Sequence, residues 1–307
     1  MTEASGSDQI GVAISSESQL QAKPRSFWGG VARALVRNHP FEFFFSGLII
    51  LLIVGMAAFA SFIAPAPPEF QDVRAVQQSP SFDHPFGTDN IGRDVLSRVS
   101  YGARISLRVG FAATILGISI ATVLGAVSGY FGGWLDMVLQ RIVDTMMAFP
   151  SLVLILLIVA MFGNQEHFVI LAIAIFIIAA PSRVVRAEVL SVKERLYVEA
   201  ARATGCGNVR ILTRHILPNI FHVIIVIASI NIAGAILVEA ALSFLGLGIP
   251  APAPSWGNMI SGQNTFYLRA APWMLIFPGL ALSLTVYAFN MMGDALRDVL
   301  DPRLREA

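Results

Sequence analysis

The sequence predicts an all-α integral membrane protein with six transmembrane helices. Three compositional facts and one pattern predict it. Hydrophobic residues make up 55% of the 307, charged residues only 13%, and mean hydropathy is +0.69, whereas a soluble domain carries roughly 25% charge. The pattern is a series of long uncharged windows, at 43–68, 109–135, 145–165, 167–182, 216–238 and 270–293. A helix needs about 20 apolar residues to cross a hydrocarbon layer of about 30 Å.

Taken in order, Ala58-Phe59-Ala60 at the end of the first span also reads as a signal-peptidase site. The tail before it is 42 residues long, far beyond a signal n-region, so the expectation is a retained anchor at 41–66 behind a polar tail at 1–40. Residues 67–104 are expected as an outer loop and 105–295 as the helical core. In the second span Ala121, Gly125 and Gly129 are spaced for close helix contact. The third span opens amphipathically, and Arg141 and Asp144 are placed to form an ion pair. The fourth window is short, but Val184 and Val185 extend it while Arg183 and Arg186 snorkel to the interface. After the fifth, the uncharged stretch 240–268 is broken by Gly246, Gly248, Pro250, Pro252 and Pro254 into loop. Residues 296–307 form a short tail. No internal repeat is evident, which weakens an inverted-repeat carrier.

Charge placement orients the chain. With the N-terminus in the cytoplasm, fourteen Lys and Arg fall on the inner segments and five (Arg74, Arg93, Arg98, Arg104, Arg269) outside, so both termini are expected in the cytoplasm. Several functions are excluded. Only Lys23 and Lys193 exist, neither after a glycine, so the nucleotide-binding loop is missing. One cysteine, Cys206, permits no internal disulfide, and a net charge of +1 gives no case for nucleic acid. The five histidines are scattered, so no metal site is expected from this chain alone, and no cofactor is implied. Neither a zinc-hydrolase nor a serine-nucleophile motif is present.

Polar positions inside spans are the pathway candidates: Asn231 and Glu239 in the fifth, and Ser283, Tyr287 and Asn290 in the sixth. The competing reading is interhelical hydrogen bonding without contact to cargo. Glu239 is expected either to meet a ligand's amine or to pair with an outer-loop arginine. In the outer loop Asp89, Arg93, Asp94 and Arg98 follow a turn-rich 84–87, and serve either an outside partner or simple loop folding.

Between the fourth and fifth spans, Arg195 to Gly205 is rich in helix formers and stops at a glycine. It predicts a short helix, with Glu199 and Arg202 as an i, i+3 pair. Small alanines let a partner approach, so the helix is either a docking knob or a surface connector.

Glu199-Ala200-Ala201, three residues, Gly205, nine residues and His215-Ile216-Leu217-Pro218 together resemble the cytoplasmic motif of permease subunits in ABC-type importers. His215 departs from the isoleucine usual there and marks a subgroup. The segment His84 to Arg98 and the tail Gly293 to Leu304 are similar to the C-type permease of dipeptide, oligopeptide and nickel importers. The likeness runs from the first span to the C-terminus. It implies the type I importer permease fold, a bacterial inner membrane location, and four partners: a related second permease, two ATPase subunits and an external solute-binding protein. It also implies that the helix at 195–207 couples to an ATPase through Tyr197, Glu199, Ala200, Ala201, Gly205, Leu217 and Pro218. Peptides are the implied cargo. The rival from another class is an independent secondary carrier or channel needing no ATPase.

Overall fold

The computed structural model describes residues 40–261, 267 and 269–300. The polar tail at 1–39 and residues 301–307 of the expected C-terminal tail lie outside the described residues. The described chain is almost wholly helical. Five helices are long and apolar enough to cross a bilayer, and a bent pair makes up to six.

Helix α1, Pro40–Ala58, opens with proline at a position where its missing N–H costs nothing. Ser46, Ile49, Ile53 and Ala57 face inward, while Phe41, Phe44, Leu48, Leu51 and Leu52 are exposed, the one-sided distribution of a helix whose outer face meets lipid. Its last carbonyls are capped from the next helix: Arg104 donates from Nε to Ala57 O at 2.5 Å and from Nη2 to Ala58 O at 2.9 Å.

Helix α2, Val95–Phe131, has 37 residues and is therefore about 55 Å long, so it protrudes from any bilayer it crosses. It starts ten residues before the expected start of the helical core at 105. The reason is Asp94, whose side chain accepts from Ser97 N at 2.7 Å and caps the first turn.

The third expected span is where the structure departs most from the uncharged window. Gly132 and Gly133, both at positive φ, turn the chain out of α2 into α3, Gly133–Ala148. Pro150 then holds Phe149 extended (φ −85°, ψ 137°) and separates α3 from α4, Ser151–Phe162, at a bend of 91°. Twelve residues of α4 rise only about 18 Å, so this crossing needs both limbs. The bend also re-pairs the charges. Asp144 pairs with Arg183 rather than Arg141, and Asp136 accepts both Nε and Nη2 of Arg186, at 2.7 and 2.5 Å. Arg183 and Arg186, expected to snorkel, instead tie α3 to α5.

Helix α5, Glu166–Lys193, prolongs the short fourth window to 28 residues and makes the most extensive contact in the fold, with α2. Ideal Cβ atoms on Gly117 and Gly129 would lie 2.8 and 2.9 Å from the carbonyl oxygens of Ala174 and Arg186, and one on Gly125 would strike Ser182 O. All three pairs share one sequence offset. The two helices therefore run parallel and in register, with backbones closer than any side chain permits. Ala121 on the same stripe is fully buried.

After the eight-residue helix α6, Leu196–Ala203, helix α7 spans Asn208–Phe244 and includes a π-helical turn at Leu212–Ile216. That turn immediately precedes Pro218, which has no N–H to offer the ladder. Gly246, at φ +81°, ends α7. The following loop carries α8, Trp256–Ile260, and folds back on the bundle, where Trp256 is fully buried and donates from Nε1 to Val99 O at 3.0 Å. As expected, this stretch is not a seventh span. Helix α9, Trp273–Leu300, continues through residues 296–300 of the expected tail.

The molecule has two distinct ends. At one, the ends of α2 and α5 meet α6 and the start of α7 in an apolar cluster that includes Tyr130, Val192, Val198, Ala201, Ile211 and Ile216. At the other, the start of α2 meets α8 and α9 through Val95, Val99, Met259, Ala271 and Met274.

The glycine register yields a direct test. Gly125→Val should cost about 1–3 kcal/mol through overpacking and lower the detergent unfolding temperature. Gly234→Ala, on a helical glycine with nothing within 4 Å of an added Cβ, should be neutral or stabilising by about 0.5–1 kcal/mol. Equal effects from the two would contradict the close α2–α5 approach.

Candidate functional site

The segment leaving α5 turns at Glu194 and re-enters helix at Leu196. Gly205 closes α6 for a geometric reason. It sits at φ +81°, its N–H donates to Arg202 O at 2.9 Å and the N–H of Cys206 donates to Ala201 O at 3.0 Å. This is the paired ending that requires a left-handed residue after the helix.

Two residues of α6 face the bundle, Val198 (fully buried) and Ala201 (8% exposed). The remainder of the helix is turned outward: Leu196 at 82%, with Tyr197, Glu199, Ala200 and Ala203 also exposed. Of the residues expected to contact a partner, Tyr197, Glu199, Ala200, Gly205 and Pro218 lie on the surface. Ala201 does not, and Leu217 is half-buried, packed beside the cluster under α6. The expected pairing of Arg202 with Glu199 is replaced by another contact. The Arg202 guanidinium lies 5.6 Å from the ring centre of Tyr130, and Lys193 Nζ lies 5.8 Å from the same ring. The Tyr130 hydroxyl donates to Asn208 Oδ1 at 3.0 Å. No local signal pointed to Tyr130, which is 72 residues before Arg202 in the chain.

The pathway candidates do not converge. Asn231 lines a groove of about 360 Å³ beside the α3–α4 bend, walled by Met146, Met147, Phe149, Leu154 and Phe176. Its amide Nδ2 donates to Ile227 O at 2.8 Å. Ser283, Tyr287 and Asn290 are exposed on α9; Tyr287 sets its ring edge-on to Phe45, and Asn290 donates back to Val286 O at 3.0 Å.

Glu239 is fully buried and meets neither a surface nor an arginine. Its carboxylate accepts from Ser243 Oγ at 2.8 Å and from Ser106 Oγ at 3.4 Å, and Ser255 Oγ lies 3.4 Å from Ser243 Oγ. These groups join α7, α2 and the loop leading to α8. Ser243, one turn after Glu239, was the signal available in the sequence.

The charges of the segment before α2 are likewise spent on its own fold. Asp89 accepts from Ile91 N and Arg93 N at 3.0 and 2.9 Å and from Arg93 Nε at 2.6 Å, with Arg98 Nε at 3.7 Å. Asp94, besides capping α2, meets His84 Nδ1 at 3.0 Å. Phe86 stacks on Phe277 with ring centres 3.9 Å apart, and Trp273 donates to Thr88 O. Loop folding therefore accounts for Asp89, Arg93, Asp94 and Arg98.

Residues 121–306, more than half of the chain and all of α5 to α9, match the family described as the binding-protein-dependent transport system inner membrane component. The chain belongs to this family. It is a multi-pass transmembrane permease of the ABC importer type, with the type I permease fold. Residues 26–80 match a second family, the N-terminal transmembrane domain of oligopeptide transport permease C. The permease is 44% identical over 260 residues to the dipeptide transport system permease protein of Alkalihalophilus pseudofirmus, covering 84% of this chain and 85% of that one. It is 41% identical over 282 residues to the glutathione transport system permease protein of Pectobacterium atrosepticum, covering 92% and 91%. A putative peptide transport system permease protein of Brucella abortus is 43% identical over 278 residues, covering 89% and 91%.

In this permease Glu239→Leu should leave buried hydroxyls without their acceptor, at about 1–3 kcal/mol each, and free the loop at 245–261. Glu239→Gln, which retains an acceptor, should cost less. Limited proteolysis within that loop, faster for Leu than for Gln and wild type, checks the order.

Proposed function

We propose that this permease carries peptides inward across a bacterial inner membrane, paired with a second homologous permease, driven by two cytoplasmic ATPase subunits and supplied by an external solute-binding protein. Both termini and α6 lie in the cytoplasm. Peptide cargo is supported by the names of the relatives, which are dipeptide, glutathione and peptide transport permeases.

The observation that carries the reading is α6 itself. It is a short helix seated on the bundle by Val198 and Ala201, with a face of Leu196, Tyr197, Glu199, Ala200 and Ala203 left exposed at the end of the fold shared by the last turns of α2 and α5. Alanines on that face let a partner's groove close on the backbone, and the flanking Tyr197 and Glu199 give the contact orientation. The residues in ATPase coupling are then Tyr197, Glu199, Ala200, Gly205 and Pro218 by contact, and Ala201 and Leu217 by seating the helix. The chain has no nucleotide loop, so the energy for alternating access comes through this contact. Since a partner shifts a conformational equilibrium only by its differential affinity for the two states, the ATPase must grip α6 differently when closed and when open.

Of the pathway candidates, Asn231 has the strongest support, because it borders the groove at the α3–α4 bend. Methionine and aromatic walls suit cargo of varied side chains, since a thioether adapts its shape. Ser283, Tyr287 and Asn290 fit an interhelical contact with the second permease, and Glu239 fits a scaffold role.

In membrane vesicles holding the full importer, Glu199→Lys and Gly205→Asp should abolish uptake of labelled peptide while the permease stays in the membrane. Gly205→Asp acts by straining a left-handed position, at about 1–3 kcal/mol. Wild-type uptake in both would overturn the docking role. Asn231→Leu should lower uptake without loss of ATPase association, measured by co-purification; unchanged uptake would remove it from the pathway.

A further inference from the structure

We infer that Tyr130 is the positioning residue that links movement of α6 to the membrane helices. This rests on the docking role proposed above for α6 and deepens it. One ring gathers four elements. Tyr130 belongs to the last turn of α2; Lys193 is the last residue of α5; Arg202 belongs to α6; Asn208 is the first residue of α7.

The contacts are of two mechanical kinds. The two cations lie over the ring at 5.6 and 5.8 Å, and attraction to a ring face is tolerant of sliding because it depends on the whole quadrupole and not on one atom. The hydroxyl bond to Asn208 Oδ1, at 3.0 Å, is directional and fixes α7 to α2. A shift of α6 therefore carries Arg202 across the ring while the α2–α7 tie holds. The ring is 5% exposed, so its position is fixed by packing, while Arg202 stays exposed and Lys193 half-buried. Burial also places Tyr130 against the same apolar cluster as Val198 and Ala201, the two residues that seat α6. A displacement of the docked helix therefore bears on this cluster as well as on the chain connections to α5 and α7. Among its members Tyr130 alone adds polar and cationic ties to three other elements.

The test uses the assembled importer in lipid nanodiscs with its binding protein and a dipeptide. Three quantities are read: co-purification of the ATPases, stimulation of ATP hydrolysis by the loaded binding protein, and uptake in vesicles. Tyr130→Leu, and separately Lys193→Gln with Arg202→Gln, should retain the ATPases and lower stimulation and uptake about tenfold, the size of two lost cation–ring contacts. Tyr130→Phe keeps the ring and loses only the hydroxyl, so it should recover most of the stimulation. The cation variant leaves the buried ring in place and guards against simple misfolding of Tyr130→Leu. Wild-type stimulation in both the Leu variant and the double variant, with ATPases bound, overturns the proposal and leaves the docking of α6 intact. Loss of the ATPases from the double variant assigns these residues to seating or docking and likewise overturns it. If Glu199→Lys retains ATPases and uptake, the failure lies in the docking reading instead.

Discussion

The close parallel approach of α2 and α5 is the constraint on which the other features depend. Three glycines on α2 meet three backbone carbonyls on α5 at a constant offset, so neither helix can slide by a residue without driving a side chain into a carbonyl. In a bilayer, where apolar side chains gain little by leaving lipid, such backbone proximity is a principal source of helix association. The same register brings Arg186 to Asp136 and Lys193 to Tyr130. It thereby determines how α3 lies and where α6 is seated.

Much of this was legible in the amino-acid order. The glycine spacing at 125 and 129 announces a contact because only the absence of a side chain explains it. Gly205 announces the end of α6 because a left-handed residue is required there. The broken stretch after Phe244 reads as loop from its prolines and glycines. Helix α6 and its exposed face followed from local propensity together with a spaced motif.

What escaped the sequence was set by tertiary geometry. The window 145–165 has no charge and looks like a single span, yet Pro150 divides it, and the 91° bend gives Asp144 a partner on α5 that no helical spacing suggests. Glu239 has the signature of a pathway acid, but Ser243 on its own helix and Ser106 and Ser255 from two other segments enclose it. Arg202 has a potential partner three residues away and prefers a tyrosine 72 positions earlier, since a buried ring offers more than an exposed ion pair. For residues 89, 93, 94 and 98 the sequence left an outside partner and loop folding equally open, and the contacts of Asp89 with Arg93 and Arg98 and of Asp94 with Ser97 and His84 favour loop folding.

Asp94 performs two tasks with one carboxylate: it starts α2 and it anchors His84 of the folded segment before it. The first turn of the longest helix and the compact segment before it are thus joined through one side chain. At about 55 Å from end to end, α2 carries that segment at its first turn and Tyr130 at its last.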